Sequence, residues 1–234
     1  MNILSSQVSL VGLLALAIPA YAQSVIYTED FGDPRSSIQS LNAVDWDARE
    51  GGGTPTNYNS SNTNTNNGPV VGVSSDDNAY LFHNDPGNGY AKLWWATDFT
   101  ATDYSDLTEI TFALRNNSAS ENIQVAIESD GNWYVSDSLY NGTGSGSTFS
   151  APLNLDFTSA AWDSLDFGTM AASVGAADPS TGTVSKIGFY TAAISDNVRI
   201  DSISVSAIPE PAQGSLLIGI AALICGLGRR WTRS

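Results

Sequence analysis

The chain holds a single histidine, His83, in Leu81-Phe82-His83-Asn84-Asp85-Pro86, and nucleophilic hydrolysis needs a base of this type beside a serine or cysteine. No Gly-x-Ser-x-Gly turn accompanies it, and the one cysteine, Cys225, lies in an apolar stretch near the C-terminus. A lone histidine at the end of a strand pattern is most simply a hydrogen-bonded packing residue, so His83 receives no role. Glycoside cleavage needs only two facing carboxylates, but Glu29, Glu50, Glu109, Glu121, Glu128 and Glu210 fall in no pattern that singles out a pair. The residues predict a protein without catalytic activity.

Binding chemistry is better represented. Sugar rings are recognised by aromatic faces together with polar hydrogen-bonding groups, and Trp94, Trp95, Trp133 and Tyr134, with Tyr58 and Tyr90, supply the aromatic part of such a platform. Neighbouring residues of a strand point to opposite faces, so one ring of Trp94-Trp95 belongs to a core and at most one can meet a ligand. The competing reading packs all six rings in the core or under loops.

The formal net charge is −15, from 24 acidic and nine basic residues, and three of those basic residues, Arg229, Arg230 and Arg233, cluster at the C-terminus. Nucleic-acid binding rests on Lys and Arg displacing counterions, so nucleic acid is excluded as a partner. With Cys225 alone, the chain can form no intramolecular disulfide and no cysteine-based metal site.

The elements that must position these residues are strands. Period-two alternation recurs between Gln23 and Ala207, most clearly in Ile110-Thr-Phe112-Ala-Leu114 and Ile123-Gln-Val125-Ala-Ile127. Other expected strands are Val25 to Thr28, Val70 to Val73, Ala79 to His83, Tyr90 to Phe99, Asn132 to Ser136, Leu165 to Phe167, Val184 to Thr191 and Val198 to Ser206. About ten strands with turn residues between them predict an all-β fold, a two-sheet antiparallel β-sandwich. Val198 and Ile200 share one phase while Ile203 and Val205 share the other, which predicts a bulge near Asp201-Ser202. Gly51 to Gly68 and Asn141 to Ser147, rich in Gly, Asn, Ser and Thr, are expected to be exposed loops.

Both ends are read as processing segments. Residues 1–22 carry no charged side chain, and an apolar run from Val8 to Ile18 leads through Pro19 to Ala20-Tyr21-Ala22, a small-x-small cleavage pattern for signal peptidase. Residues 208–234 begin Ile208-Pro209-Glu210-Pro211, continue with seventeen uncharged residues from Ala212 to Gly228, and end in the cytoplasmic-side cluster Arg229, Arg230 and Arg233. As a helix, the uncharged run spans roughly 25 Å at about 1.5 Å per residue, enough for a short transmembrane helix.

This order of Pro-Glu-Pro, short apolar helix and basic end resembles the PEP-CTERM sorting signal of exosortase substrates. The resemblance implies recognition at Pro209, Glu210 and Pro211, transient anchoring in the inner membrane of a Gram-negative bacterium, and delivery to the cell surface or an exopolysaccharide matrix. The opening strand Val25-Ile-Tyr-Thr-Glu-Asp-Phe31 and the closing strand Val198-Arg-Ile-Asp-Ser-Ile-Ser-Val205 resemble those of jelly-roll domains of the carbohydrate-binding kind. That second resemblance implies adjacent first and last strands and a structural Ca²⁺ ion with Glu29, Asp30 and Asp201 as candidate ligands, against the alternative of solvated surface acids. The expectation is an exported, non-catalytic envelope or matrix protein associated with exopolysaccharide, with a carbohydrate-binding module as the alternative and a polysaccharide-degrading enzyme third.

Overall fold

A computed structural model describes residues 23–31, 38–51, 56–57, 70–73, 79–84, 89–116, 122–141, 148–193 and 197–208. Residues 1–22, expected as a signal peptide, the Pro-Glu-Pro motif, the basic cluster and Tyr58 lie outside the described residues.

The described residues form two antiparallel sheets, as the alternation requires. The smaller runs β11 (Leu153–Asp156), β8 (Leu107–Asn116), β15 (Asn197–Ala207), β5 (Ala79–Asn84), β4 (Val70–Val73), with β1 (Ser24–Glu29) also on β15. The larger runs β13 (Ala171–Ala177), β12 (Trp162–Asp166), β10 (Asn132–Ser136), β9 (Gln124–Ser129), β14 (Thr183–Thr191), β6 (Lys92–Ala96), β2 (Trp46–Glu50), β3 (Thr56–Asn57), with β7 (Thr102–Asp103) also on β14. First and last strands are neighbours, Ser24 opposite Ala207 and Glu29 opposite Ile203.

The bulge falls where the change of phase placed it. The β15–β8 register shifts between Asp201 and Ser204, and Ser202 adopts a left-handed φ of 54°. One edge of β15 is thereby shared between two strands: β5 pairs with residues 197–200 and β1 with residues 203–207. The bulge lets both halves of β15 present Val198, Ile200, Ile203 and Val205 to the same core.

That core joins Tyr27, Phe31, Trp46, Trp94, Phe112, Phe189 and their neighbours between the sheets. Phe112 and Phe189 meet at 4.9 Å between ring centroids, edge to face. Buried polar ends are paired: the Trp46 indole N–H donates to Tyr27 Oη at 3.1 Å, and the Trp162 indole donates to Tyr104 Oη at 2.8 Å, whose hydroxyl donates to the Phe157 carbonyl at 2.8 Å.

Two loop expectations change. Within the stretch expected as an exposed loop, Thr56–Asn57 pairs with Arg49 and Glu50 of β2, and Gly51 is buried, its amide donating to the Ala91 carbonyl at 2.7 Å. The polarity of the stretch hid an edge strand, which needs ladder hydrogen bonds more than apolar side chains. Tyr90 and Phe99 lie outside β6, which keeps only Lys92–Ala96.

Candidate functional site

The five residues of β6 are all buried, an arrangement alternation allows only if both faces of the larger sheet are covered. Trp94 points into the inter-sheet core, while Leu93 and Trp95 join a second cluster on the outer face with Ala126, Trp133, Val135, Leu165, Met170 and Tyr190. This second cluster is roofed by the turn between β12 and β13. Tyr190 Oη donates to the Met170 carbonyl at 3.0 Å, and the Arg49 guanidinium of β2 stands 4.4 Å over the Phe167 ring. Five inter-strand steps separate β12 from β2, about 24 Å in a flat sheet at about 4.8 Å each. Contact across that span requires the sheet to curl and the turn to fold inward over its hollow face.

The roof is built locally by Asp166. Its Oδ1 accepts the amides of Gly168 at 2.7 Å and Thr169 at 3.2 Å, an Asx turn, and Met170 closes the turn with a left-handed φ of 60°. The Thr169 and Gly168 amides hold the Asp166 carboxyl below its ordinary value, so it stays ionised.

At the end of the β10–β12 pair, Asn132, Trp133, Tyr134, Ser164, Leu165, Asp166 and Phe167, with Gly131, line a cavity of about 330 Å³. Trp133 and Phe167 stack in parallel, centroids 5.8 Å apart and planes 10° apart, and Trp95 meets both rings at 5.5 and 6.0 Å. Lys186 Nζ lies 5.6 Å over the Trp133 ring and is paired with Glu128 across the β14–β9 ladder. Asn132, Ser164 and Asp166 are exposed, and Tyr134 and Phe167 are half-buried. The cavity therefore combines the half-buried Phe167 ring with an amide, a hydroxyl and a fixed carboxylate, groups that can stack on and hydrogen-bond neutral polyols.

The four aromatic residues expected as a platform are divided by the fold. Trp95 and Trp133 share the outer face but are only 5% and 6% exposed, so they support the cavity from beneath. Trp94 is 1% exposed inside the core, and Tyr134 packs partly against that core from the other face of β10. Phe167, Asn132, Ser164 and Asp166 were not singled out from sequence. The Asp166-x-Gly168 spacing of an Asx turn was the available signal, since it ends the strand before Phe167 and turns that ring inward.

Glu29, Asp30 and Asp201 are the carboxylates expected as calcium ligands; among the described residues there is no group of three or more His, Cys, Asp or Glu side chains placed to hold a metal ion. Glu29 Oε1 accepts the Phe31 amide and Asp201 Oδ1 accepts the Ser202 amide at 2.6 Å, so both are engaged in fixing local turns. Burial, reinforced by Asp30 and Asp98, pushes the Glu29 carboxyl above its ordinary value. His83 is 2% exposed and meets Trp94 edge to face at 5.8 Å, a packing position.

No family model matches the chain, and no curated protein matches it. Among solved structures, it is similar to the family 11 carbohydrate-binding module from Clostridium thermocellum in complex with a β-1,3-1,4-mixed-linked tetrasaccharide, at 16% identity and a TM-score of 0.44, over 78% of this chain and 94% of that one. It is also similar to the family 11 carbohydrate-binding module of the cellulosomal cellulase Lic26A-Cel5E of Clostridium thermocellum, at 13% identity and a TM-score of 0.45, over 78% of this chain and 95% of that one.

Proposed function

We propose that this chain is an exported, non-catalytic protein of the cell envelope or extracellular matrix that holds polysaccharide at the cavity between β10 and β12. The observation that carries the reading is that cavity of about 330 Å³: Asn132, Ser164 and Asp166 line it with hydrogen-bonding groups, and the half-buried Phe167, backed by Trp133, lines it with a ring. That volume is at the small end of the range for ligand sites, about 300–1,000 Å³, which suits contact with one or two sugar residues of a longer polymer. Export rests on the charge-free N-terminal segment with its Ala20-Tyr21-Ala22 cleavage pattern. Delivery rests on the Pro209-Glu210-Pro211 motif, the apolar run and the terminal arginines.

Native affinity electrophoresis tests the binding. Migration of the protein is expected to be retarded in gels containing soluble neutral glucans, and Phe167→Ala is expected to abolish retardation while leaving thermal unfolding near that of the parent. Normal migration of the parent in every glycan, or equal retardation of Phe167→Ala, overturns the site. Release of reducing ends from a retarding glycan would replace the non-catalytic reading with a hydrolytic one.

A further inference from the structure

Of the side chains that line the cavity between β10 and β12, Asp166 alone is charged. It is exposed at the end of β12, opposite Ala171 of the edge strand β13. The Gly168 and Thr169 amides that its Oδ1 accepts fix the carboxylate in place without cancelling its charge, since each amide is a neutral donor. Its carboxyl is held below the ordinary value by those amides and the Thr169 hydroxyl, and no cation among the described residues contributes. The cations that reach the aromatic floor of the cavity are placed otherwise. Lys186, over the Trp133 ring, is paired with Glu128, and Arg49 reaches from β2 to lie 4.4 Å over the Phe167 ring.

A sugar held in this cavity meets the Asn132 amide, the Ser164 hydroxyl and the Asp166 carboxylate. The first two both donate and accept, and so suit any hydroxyl. An ionised carboxylate only accepts, and it pairs most strongly with a donor that carries positive charge. The cation a sugar ring can carry is an ammonium group with three N–H donors, as in an N-deacetylated amino sugar. The charge of the whole molecule favours the same ligand. With 24 acidic against nine basic residues, the net charge of −15 draws a polycation to the surface and repels a polyanion.

We propose that the preferred ligand of this cavity is a partly N-deacetylated amino-sugar polysaccharide, with a ring ammonium paired to Asp166. The assignment rests on the polysaccharide-binding reading of the same cavity and narrows its ligand class. Neutral residues of the polymer still bind through Asn132 and Ser164, more weakly. The Asx turn strengthens the pair, because a carboxylate already held in position loses little side-chain freedom when the ammonium arrives.

The test is calorimetric titration of the full-length chain with a β-1,4-linked glucosamine hexamer and with the same hexamer fully N-acetylated. The amine form is expected to bind about fivefold tighter or more at low salt, with the preference narrowing as ionic strength rises. Asp166→Asn, whose side-chain oxygen can still accept the Gly168 and Thr169 amides, is expected to remove that preference and to leave affinity for the acetylated hexamer and retention by neutral glucans unchanged. Equal affinity of the parent for the two hexamers overturns the proposal, as does a preference that persists undiminished in Asp166→Asn. If that variant does not fold, amide chemical shifts of the parent decide: the two hexamers are expected to differ most at Gly168 and Thr169, and a difference centred elsewhere overturns the assignment. A parent that binds neither hexamer nor any neutral glucan sinks the polysaccharide-binding reading and this one with it, whereas binding without preference for the amine sinks this one alone.

Discussion

Gly188 of β14 sits opposite Trp95 of β6, at the seam where the larger sheet is buried on both faces, and it tests how tightly that seam is closed. A Cβ on Gly188 would stand 1.8 Å from the Trp94 carbonyl oxygen and 2.7 Å from Trp95 Cα. Side chains essentially never tolerate less than 3.0 Å, and the obstructing atoms are backbone, so no rotamer change relieves the overlap. Gly188→Ala must push β6 and β14 apart by more than an ångström, which breaks ladder hydrogen bonds among Leu93, Trp94, Trp95, Phe189 and Tyr190. One or two bonds lost at about 1 kcal/mol each, with about 1–3 kcal/mol for the buried groups left unpaired and for strain, give roughly 2–5 kcal/mol. For a domain of this size that lowers the melting temperature by roughly 5–20 °C. Gly182→Ala is the internal control. Its Cβ would approach Ser129 Oγ at 2.1 Å and Asp130 Oδ2 at 2.8 Å, both ends of side chains that can rotate away. It is expected to cost about 1–2 kcal/mol, less than Gly188→Ala, because side chains and not backbone must give way. Thermal unfolding followed by near-UV circular dichroism reads both variants. If the two melt together, or if Gly188→Ala melts like the parent, the doubly covered seam is wrong.

Further outcomes follow from the same geometry. Phe112→Ala removes a fully buried ring between the sheets and is expected to cost about 3–5 kcal/mol in denaturant unfolding, with ring contacts to Phe189 and Tyr140 lost. The Glu29 carboxyl, raised above its ordinary value chiefly by burial, favours folding most at acid pH; its contribution is lost as pH rises through the raised value. Glu29→Gln is therefore expected to flatten the fall in melting temperature between mildly acid and neutral buffer, and an unchanged profile would contradict this. Intact-mass measurement on protein recovered from envelope and medium is expected to lack residues 1–22 and the segment following the Pro-Glu-Pro motif.

Much of the fold was legible where side chains alternate against one core. The change of phase between Ile200 and Ile203 located the bulge, and the strands at Val70 to Val73 and Asn132 to Ser136 kept their expected limits. Strands without that signature were missed. Trp46-Asp-Ala-Arg-Glu50 looks half-charged because Glu50 neutralises Lys92 of the next strand, a pairing only the fold creates. Ala171–Ala177 lacks the bulky residues of a strand because it lies at the sheet's edge, with Val174 96% exposed. The site was half legible: alternation divided Trp94 from Trp95, but a linear pattern cannot show that a curled sheet lets the β12–β13 turn roof Trp95 and Trp133.

The most direct test of the account is amide chemical-shift mapping of the ¹⁵N-labelled protein titrated with a glucan that retards it in native gels. The largest shifts are expected at Gly131, Asn132, Tyr134, Ser164, Phe167 and Gly168, with the inter-sheet core residues unmoved. Saturable shifts confined to another surface, or none at ligand concentrations that give full retardation, would contradict the assignment of polysaccharide binding to the cavity between β10 and β12.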